Sequence, residues 1–148
     1  MRRFLSLFVL LVLAMPLVSQ SNKPSLDQLM ASKKQAEKAA IIMREITQVD
    51  YRAAMDIPAG DGLFIYDGQV LASTYHAAAK SGIAVKAGQS VKVTQIRLLD
   101  FGVQIYVGDN CAMIGYTDKF VTTEKTDAEI TLLVKKTLAA MFEAVPRS

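Results

Sequence analysis

The chain has a single histidine, His76, and a single cysteine, Cys111. Metal sites built from these residue types need clusters at fixed spacing, and the two residues lie far apart in the sequence. A Ser-His-Asp arrangement needs only one histidine, but no nucleophile-elbow pattern accompanies His76. The sequence therefore predicts no catalytic residue, no metal and no cofactor. It predicts a surface or loop position for His76 and a buried thiol at Cys111, since burial is common for an unpaired cysteine. A small hydrolase or thiol enzyme that uses either residue is the least favoured hypothesis.

The tripeptide Asp100-Phe101-Gly102 has the composition of the magnesium-binding segment of protein kinases. A kinase also needs a Gly-rich loop, a strand lysine and a catalytic loop, and this 148-residue chain has none of them. The tripeptide lies between two runs of alternating apolar residues, and glycine favours tight turns. We therefore expect a turn between two strands here.

Tyrosines are the side chains that could form a recognition surface. Tyrosine combines a large apolar ring with a polar hydroxyl, which suits it to interfaces. We assign a candidate binding surface to Tyr66, Tyr75, Tyr106 and Tyr116. The alternative is that these rings pack inside the domain, in which case they form no surface.

The N-terminal residues have the three parts of a secretory signal peptide. Arg2 and Arg3 precede an apolar run from Phe4 to Ala14, and small residues follow at Ser19 and Ser21. The run is about half of the roughly 20 residues that a membrane-spanning helix needs. We predict export to the periplasm or the extracellular space, with residues 1–21 removed after Ser21. Cleavage after Ser19 and retention as a membrane anchor are the alternatives.

Removal of the leader changes the charge of the protein. The loss of two arginines from 17 basic residues leaves 15 against 14 acidic ones, a net charge of +1. This balance lacks the basic footprint that nucleic-acid binding requires. We therefore expect no nucleic-acid partner, and contact with a membrane only through the leader before its cleavage.

Residues 22–56 are predicted to form a helix. Ser25 and Gln28 have the spacing of a capping box. One stripe contains Leu29, Ala36, Ala39, Ala40, Met43 and Ile46. We expect this alanine-rich stripe to pack against the rest of the domain. Pairing of the stripe with another chain, giving an oligomeric structural protein of the envelope, is the alternative.

The remainder of the chain reads as strands followed by a second long helix. Residues 57–124 contain several short apolar runs, and Asp67-Gly68 between two of them is a strong hairpin signal. The segment "TYHAAAKSG" fits either a loop or a helical turn. Thr126 and Glu129 form a second capping box at the start of a helix predicted over 125–145. The sequence thus predicts one α+β domain over 22–148, with an antiparallel meander or small barrel of about five strands between two helices.

Residues 88–122 carry a resemblance to a known family. Gly88, Val91 and Val93 follow a Gly-x-x-Val-x-Val pattern, and Gly115-Tyr116-Thr117 precedes Phe120-Val121. These motifs resemble those of the Src-homology-three-like small barrels of bacterial extracytoplasmic proteins, although the tryptophan of that family is absent because the chain has none. The resemblance implies a binding or scaffold module at the cell envelope, with a protein or cell-wall component as partner.

Overall fold

We describe the protein from a computed structural model, which covers residues 23–147. The predicted signal peptide lies outside the described residues. The helices are α1 (Leu26–Ile46), α2 (Ala72–Ala79) and α3 (Asp127–Ala139), with a 3-10 turn at Thr122–Glu124. The strands are β1 (Asp50–Ala53), β2 (Ile57–Pro58), β3 (Gly60–Tyr66), β4 (Gln69–Val70), β5 (Ile83–Val85), β6 (Ser90–Val91), β7 (Val93–Leu99), β8 (Gly102–Val107), β9 (Cys111–Tyr116) and β10 (Phe142–Val145).

The largest sheet has five strands in the order β4-β3-β9-β8-β7, and we call it the main sheet. Strands β7, β8 and β9 form an antiparallel meander, as the sequence predicts. A second sheet has the order β10-β1-β6, and β2 pairs with β5. The α+β class is therefore confirmed. The small barrel is not confirmed, because none of the three sheets between residues 23 and 147 closes on itself.

One pairing in the main sheet departs from the predicted antiparallel arrangement. Strand β3 runs parallel to β9, with Phe64 beside Ile114 and Tyr66 beside Tyr116. A parallel pair requires a long crossover, and here the connection includes β4, α2 and strands β5 to β8. Residue alternation is the same for half-buried strands of either direction, so the sequence pattern could not distinguish them.

The core lies between one face of the main sheet and two helices. Alternate strand residues such as Ile65, Ile105 and Met113 are fully buried and belong to the same cluster as Ile42 of α1 and Leu138 of α3. The opposite face of the main sheet carries the other set of side chains. We call the covered side the inner face and the other side the outer face.

The predicted C-terminal helix is shorter than expected. Thr126 and Glu129 form the predicted capping box, but α3 ends at Ala139 rather than at residue 145. Residues 142–145 form β10, which pairs with β1 and places Phe142 opposite Ala53. The prediction was wrong here because Met141 and Phe142 fit helical spacing equally well, whereas pairing with β1 satisfies their backbone and buries both side chains.

Helix α1 begins at the predicted capping box of Ser25 and Gln28 and ends at Ile46, ten residues earlier than the predicted limit at 56. Its fully buried residues are Ile42 and Ile46, whereas Leu29 of the predicted stripe is 52% exposed. The inner side of the helix includes Lys38, whose Nζ donates to the carbonyl oxygen of Lys125 at 3.0 Å and lies 3.6 Å from the Asp127 carboxylate. A lysine can bury its aliphatic stem in this way. The packed side of the helix includes Met43 and Ile46 of the predicted stripe but also Ile42, which the prediction left out.

Candidate binding surface

The kinase-like tripeptide forms the predicted turn. Asp100 and Phe101 connect β7 to β8, and Leu99 pairs with Gly102 across the hairpin. A Cβ atom at Gly102 would collide with the carbonyl oxygen of Gly115 on β9, so a close approach of two backbones explains this glycine. Phe101 is 69% exposed. Among residues 23–147, no group of three or more His, Cys, Asp or Glu side chains could hold a metal ion.

His76 and Cys111 lie on different elements. His76 is exposed on α2, and its ring meets the ring of Tyr75 edge to face at a centroid distance of 6.0 Å. Cys111 is buried at the start of β9, as predicted. Burial raises the pKa of the Cys111 thiol to about 11, because a buried site disfavours the charged thiolate. At neutral pH this cysteine is therefore a protonated thiol and a poor nucleophile.

Three of the four candidate tyrosines lie together on the outer face of the main sheet. Tyr66 pairs with Tyr116 across β3 and β9. Tyr106 lies on the same side because its partner in register is Ala112, four residues before Tyr116 on β9. The strand register places five further partly exposed or exposed side chains on this side. We call the whole set the aromatic face: Phe64, Tyr66, Gln95, Arg97, Gln104, Tyr106, Ile114 and Tyr116.

Rings make the contacts within the aromatic face. Tyr116 lies between two others, with its centroid 5.4 Å from that of Tyr66 and 6.3 Å from that of Phe64. Towards the β7 edge of the same face, the guanidinium of Arg97 lies 5.3 Å from the ring centroid of Tyr106, a cation–π distance. Ile114 and Gln104 are neighbours in register between these two groups. The aromatic face thus combines partly exposed aromatic and apolar side chains with the polar side chains of Gln95, Arg97 and Gln104.

The Tyr66 end of the aromatic face carries acidic groups. A hydrogen bond to Asp118 raises the pKa of the Tyr66 hydroxyl, and burial and the nearby carboxylates act in the same direction. Asp67 forms an ion pair with Lys136 of α3. The hydroxyl of Tyr66 therefore stays protonated and able to donate a hydrogen bond at neutral pH.

Tyr75 does not belong to the aromatic face. It lies on α2, its ring packs against the core, and its hydroxyl donates to the carbonyl oxygen of Asp56 at 2.9 Å. It was grouped with the other tyrosines by residue type alone. The predicted surface did not include Phe64 and Ile114. Each lies two residues before a tyrosine of its strand, a spacing that points both side chains to the same face of a sheet.

No described helix covers the aromatic face. Helices α1 and α3 pack on the inner face, since their buried residues share a cluster with Ile105 and Met113. Helix α2 borders the main sheet at β3, where the backbone N–H of Phe64 donates to Oγ1 of Thr74 at 3.2 Å. The aromatic face is therefore open within residues 23–147.

Comparison of the chain with known protein families, curated proteins and solved structures found no match. Within residues 23–147, no helix has the length and apolar character needed to cross a membrane.

Proposed function

We propose that this protein is an exported, non-enzymatic module that binds a protein partner through the aromatic face. The observation that carries the proposal is the position of Tyr66, Tyr106 and Tyr116 on one open side of the main sheet. Phe64 and Ile114 are neighbours in register and lie on the same side. These aromatic and apolar side chains are partly exposed, and clusters of apolar side chains at the surface mark interaction sites in soluble proteins.

The composition of the aromatic face favours a protein as partner. The cores of protein–protein interfaces are enriched in tyrosine, phenylalanine and arginine and depleted in other charged residues. Arg97 is the only charged member of the face, and it lies against the Tyr106 ring. Tyrosine and arginine also dominate the residues that contribute most binding energy. We therefore place the energetic centre of the surface at Arg97 and Tyr106.

The state of the two reactive side chains supports a binding role over catalysis. Cys111 is buried and protonated at neutral pH. His76 is exposed on α2, and its ring contacts that of Tyr75. A catalytic histidine needs an orienting group and a nucleophile within hydrogen-bond reach. Neither residue is part of the aromatic face.

The proposed location rests on the sequence of the N-terminus and on the likeness of residues 88–122 to extracytoplasmic small barrels. Both features favour a location at the cell envelope. We also propose a barrel-like packing of residues 88–122. Mass spectrometry of the protein from a native-like host tests the export step. We expect a product in the exported fraction that starts at Asn22, or at Gln20 if cleavage follows Ser19. Recovery of the intact chain from Met1 in the cytosol would contradict export.

A comparison of variants tests the binding surface. Exported protein is immobilised and exposed to an envelope extract, and recovered proteins are quantified for the wild type, Tyr106→Ala, Arg97→Ala and the control Phe101→Ala. The control also removes an exposed aromatic ring, but from a turn outside the aromatic face. We expect one protein to be recovered with the wild type and the control and to be lost with both face variants.

Two outcomes would overturn this assignment. If every variant recovers the same proteins in equal amounts, the aromatic face is not the binding site. If the wild type instead sediments with protease-treated cell walls and the face variants do not, the partner is a wall polymer and not a protein. Thermal unfolding of each variant separates loss of binding from loss of structure.

A further inference from the structure

Helix α1 carries a second apolar surface, on the side that faces away from the domain. Four of its large apolar side chains are strongly exposed: Leu26 at 72%, Met30 at 63%, Leu29 at 52% and Ile41 at 46%. Single exposed apolar residues are common, but several on one side of one helix form a patch. This patch is separate from the aromatic face, which lies on the outer side of the main sheet.

Helical geometry defines the extent of this patch. At 100° per residue, the side of α1 opposite the buried Ile42 and Ile46 contains one continuous row of side chains. We call this row the α1 outer stripe, and it consists of Leu26, Leu29, Met30, Lys33, Glu37, Ala40, Ile41 and Arg44. Lys33 and Glu37 at its centre are 79% and 65% exposed and lie 4.0 Å apart.

We propose that the α1 outer stripe binds the same stripe of a second copy of this chain in an antiparallel dimer. The two helices would cross at the level of Gln35, which is equidistant from Lys33 and Glu37. Leu29 and Met30 of one copy then lie level with Ala40 and Ile41 of the other. Each Lys33 lies level with Glu37 of the second copy, so two equivalent ion pairs form. Such a contact is isologous, as expected for a two-fold dimer.

The charges of Lys33 and Glu37 favour the antiparallel orientation and a second copy of the chain as the partner. In a parallel pair, Lys33 would meet Lys33 and Glu37 would meet Glu37, and like charges placed across an interface are strongly unfavourable. The antiparallel pair replaces both repulsions with attractions. Polar residues near the middle of a helix pair also fix its register at some cost in stability. The stripe is thus complementary to itself in one orientation only.

The rest of the domain leaves room for a second helix. Helix α3 contacts α1 on a different side, where Lys38 meets Asp127 and Glu45 meets Lys135. The main sheet lies beneath α1, since Ala31 and Gln35 line a small cavity together with Leu98. Ala40 in the outer stripe is small and permits close approach of the second backbone.

Charge reversal provides a specific test. Sedimentation of the exported protein over a range of concentrations gives the dimer dissociation constant for the wild type, Lys33→Glu, Glu37→Lys and the double variant. We expect each single variant to raise the dimer dissociation constant at least tenfold, because it places like charges opposite each other across the interface. The double variant should regain the wild-type constant to within about threefold.

Mixing the two single variants gives the sharpest result. Each self-pairs poorly, but a Lys33→Glu chain and a Glu37→Lys chain present opposite charges to each other, so the mixture should form a heterodimer. Lys92→Glu, the same charge change on an exposed residue between β6 and β7, should dimerise like the wild type. Circular dichroism confirms that all variants keep their helix content.

The proposal is overturned if the wild type stays monomeric at its highest soluble concentration. It is also overturned if a dimer forms that neither single variant weakens, or if the mixed variants do not associate. None of these results bears on the aromatic face, because its binding is measured with Tyr106→Ala and Arg97→Ala. The two proposals can therefore fail independently.

Discussion

Two glycines permit the close contacts that define the central layers of the molecule. Gly102 lets β8 approach the backbone of β9, and Gly115 lets α3 lie directly on β9 beside Thr137. Thr137 is fully buried, and its hydroxyl donates to the carbonyl oxygen of Leu133 at 2.7 Å. Each contact depends on the absence of one methyl group. A substitution at Gly102 therefore reports on the approach of β8 to β9, and one at Gly115 reports on the packing of β9 against α3.

A methyl group at position 115 should destabilise the fold. The Cβ of Gly115→Ala would overlap the side chain of Thr137, and overpacking of this kind costs about 1–3 kcal/mol. Urea denaturation measures the free energy of unfolding. Gly62→Ala on β3 is the matched control, because its Cβ meets nothing within 4 Å, and it should change stability by less than about 0.5 kcal/mol. Equal stability of the two variants would contradict the described contact between α3 and β9.

Cys111 should make stability depend on pH in the alkaline range. Its pKa is about 11 in the folded chain against an ordinary value of 9.0. As pH rises above 9, the unfolded chain releases the thiol proton while the folded chain keeps it, so folding becomes less favourable. The contribution is fully present below pH 9 and is lost as pH rises towards 11. A shift of this size corresponds to at most about 2–3 kcal/mol.

Urea denaturation of the wild type and Cys111→Ala at pH 7.5 and pH 10.5 measures this contribution. The wild type should lose more stability than the variant between the two pH values. All other side chains are identical in the two proteins, so their effects cancel in the comparison. Parallel losses would show that Cys111 is accessible to solvent in the folded state.

At the scale of elements, local sequence signals and the structure agree where a few adjacent residues decide the outcome. Asp67 and Gly68 both have positive φ in the β3–β4 hairpin, and both capping boxes form as predicted. The pairing of β3 with β9 and of β1 with β10 was not predicted. Each of these pairings joins segments that are far apart in the chain. Residue alternation predicts a strand but does not predict which strand it pairs with.

The candidate binding surface also has one part that the sequence could predict and one part that it could not. Alternation along β9 puts Ile114 and Tyr116 on one face, which the sequence could show. The position of these two residues beside Tyr66 depends on the parallel register of β3 and β9. The sequence could not show this register. Tyr75 was misplaced because its segment, left open as a loop or a turn, is helix α2.

The two capping boxes should differ in their effect on stability. Thr126→Ala removes the cap of α3, whose buried side chains belong to the core, and should cost about 1 kcal/mol. Ser25→Ala makes the same kind of change at the exposed start of α1, where local fraying loses few tertiary contacts. At concentrations where the chain is monomeric, Ser25→Ala should change the free energy of global unfolding by less than about 0.5 kcal/mol. Equal costs at both positions would show that the first turns of α1 are part of the cooperative core.

At the scale of the whole molecule, the aromatic face and the α1 outer stripe have different orientations. The aromatic face lies on the outer side of the main sheet, and the α1 outer stripe lies on a helix packed against the inner side. A dimer formed through the stripe would leave both aromatic faces free. The arrangement would therefore present two copies of the binding surface to one partner or to two.

The most direct measurement of the central claim is site-specific photo-crosslinking in intact cells that export the protein. A photoreactive amino acid replaces Gln104, in the middle of the aromatic face, and in a second strain replaces the exposed Lys92. We predict a discrete adduct with one other protein from position 104 and none of that mass from position 92. Adducts of the same mass from both positions, or none from position 104, would contradict the assignment of the aromatic face as a protein-binding surface.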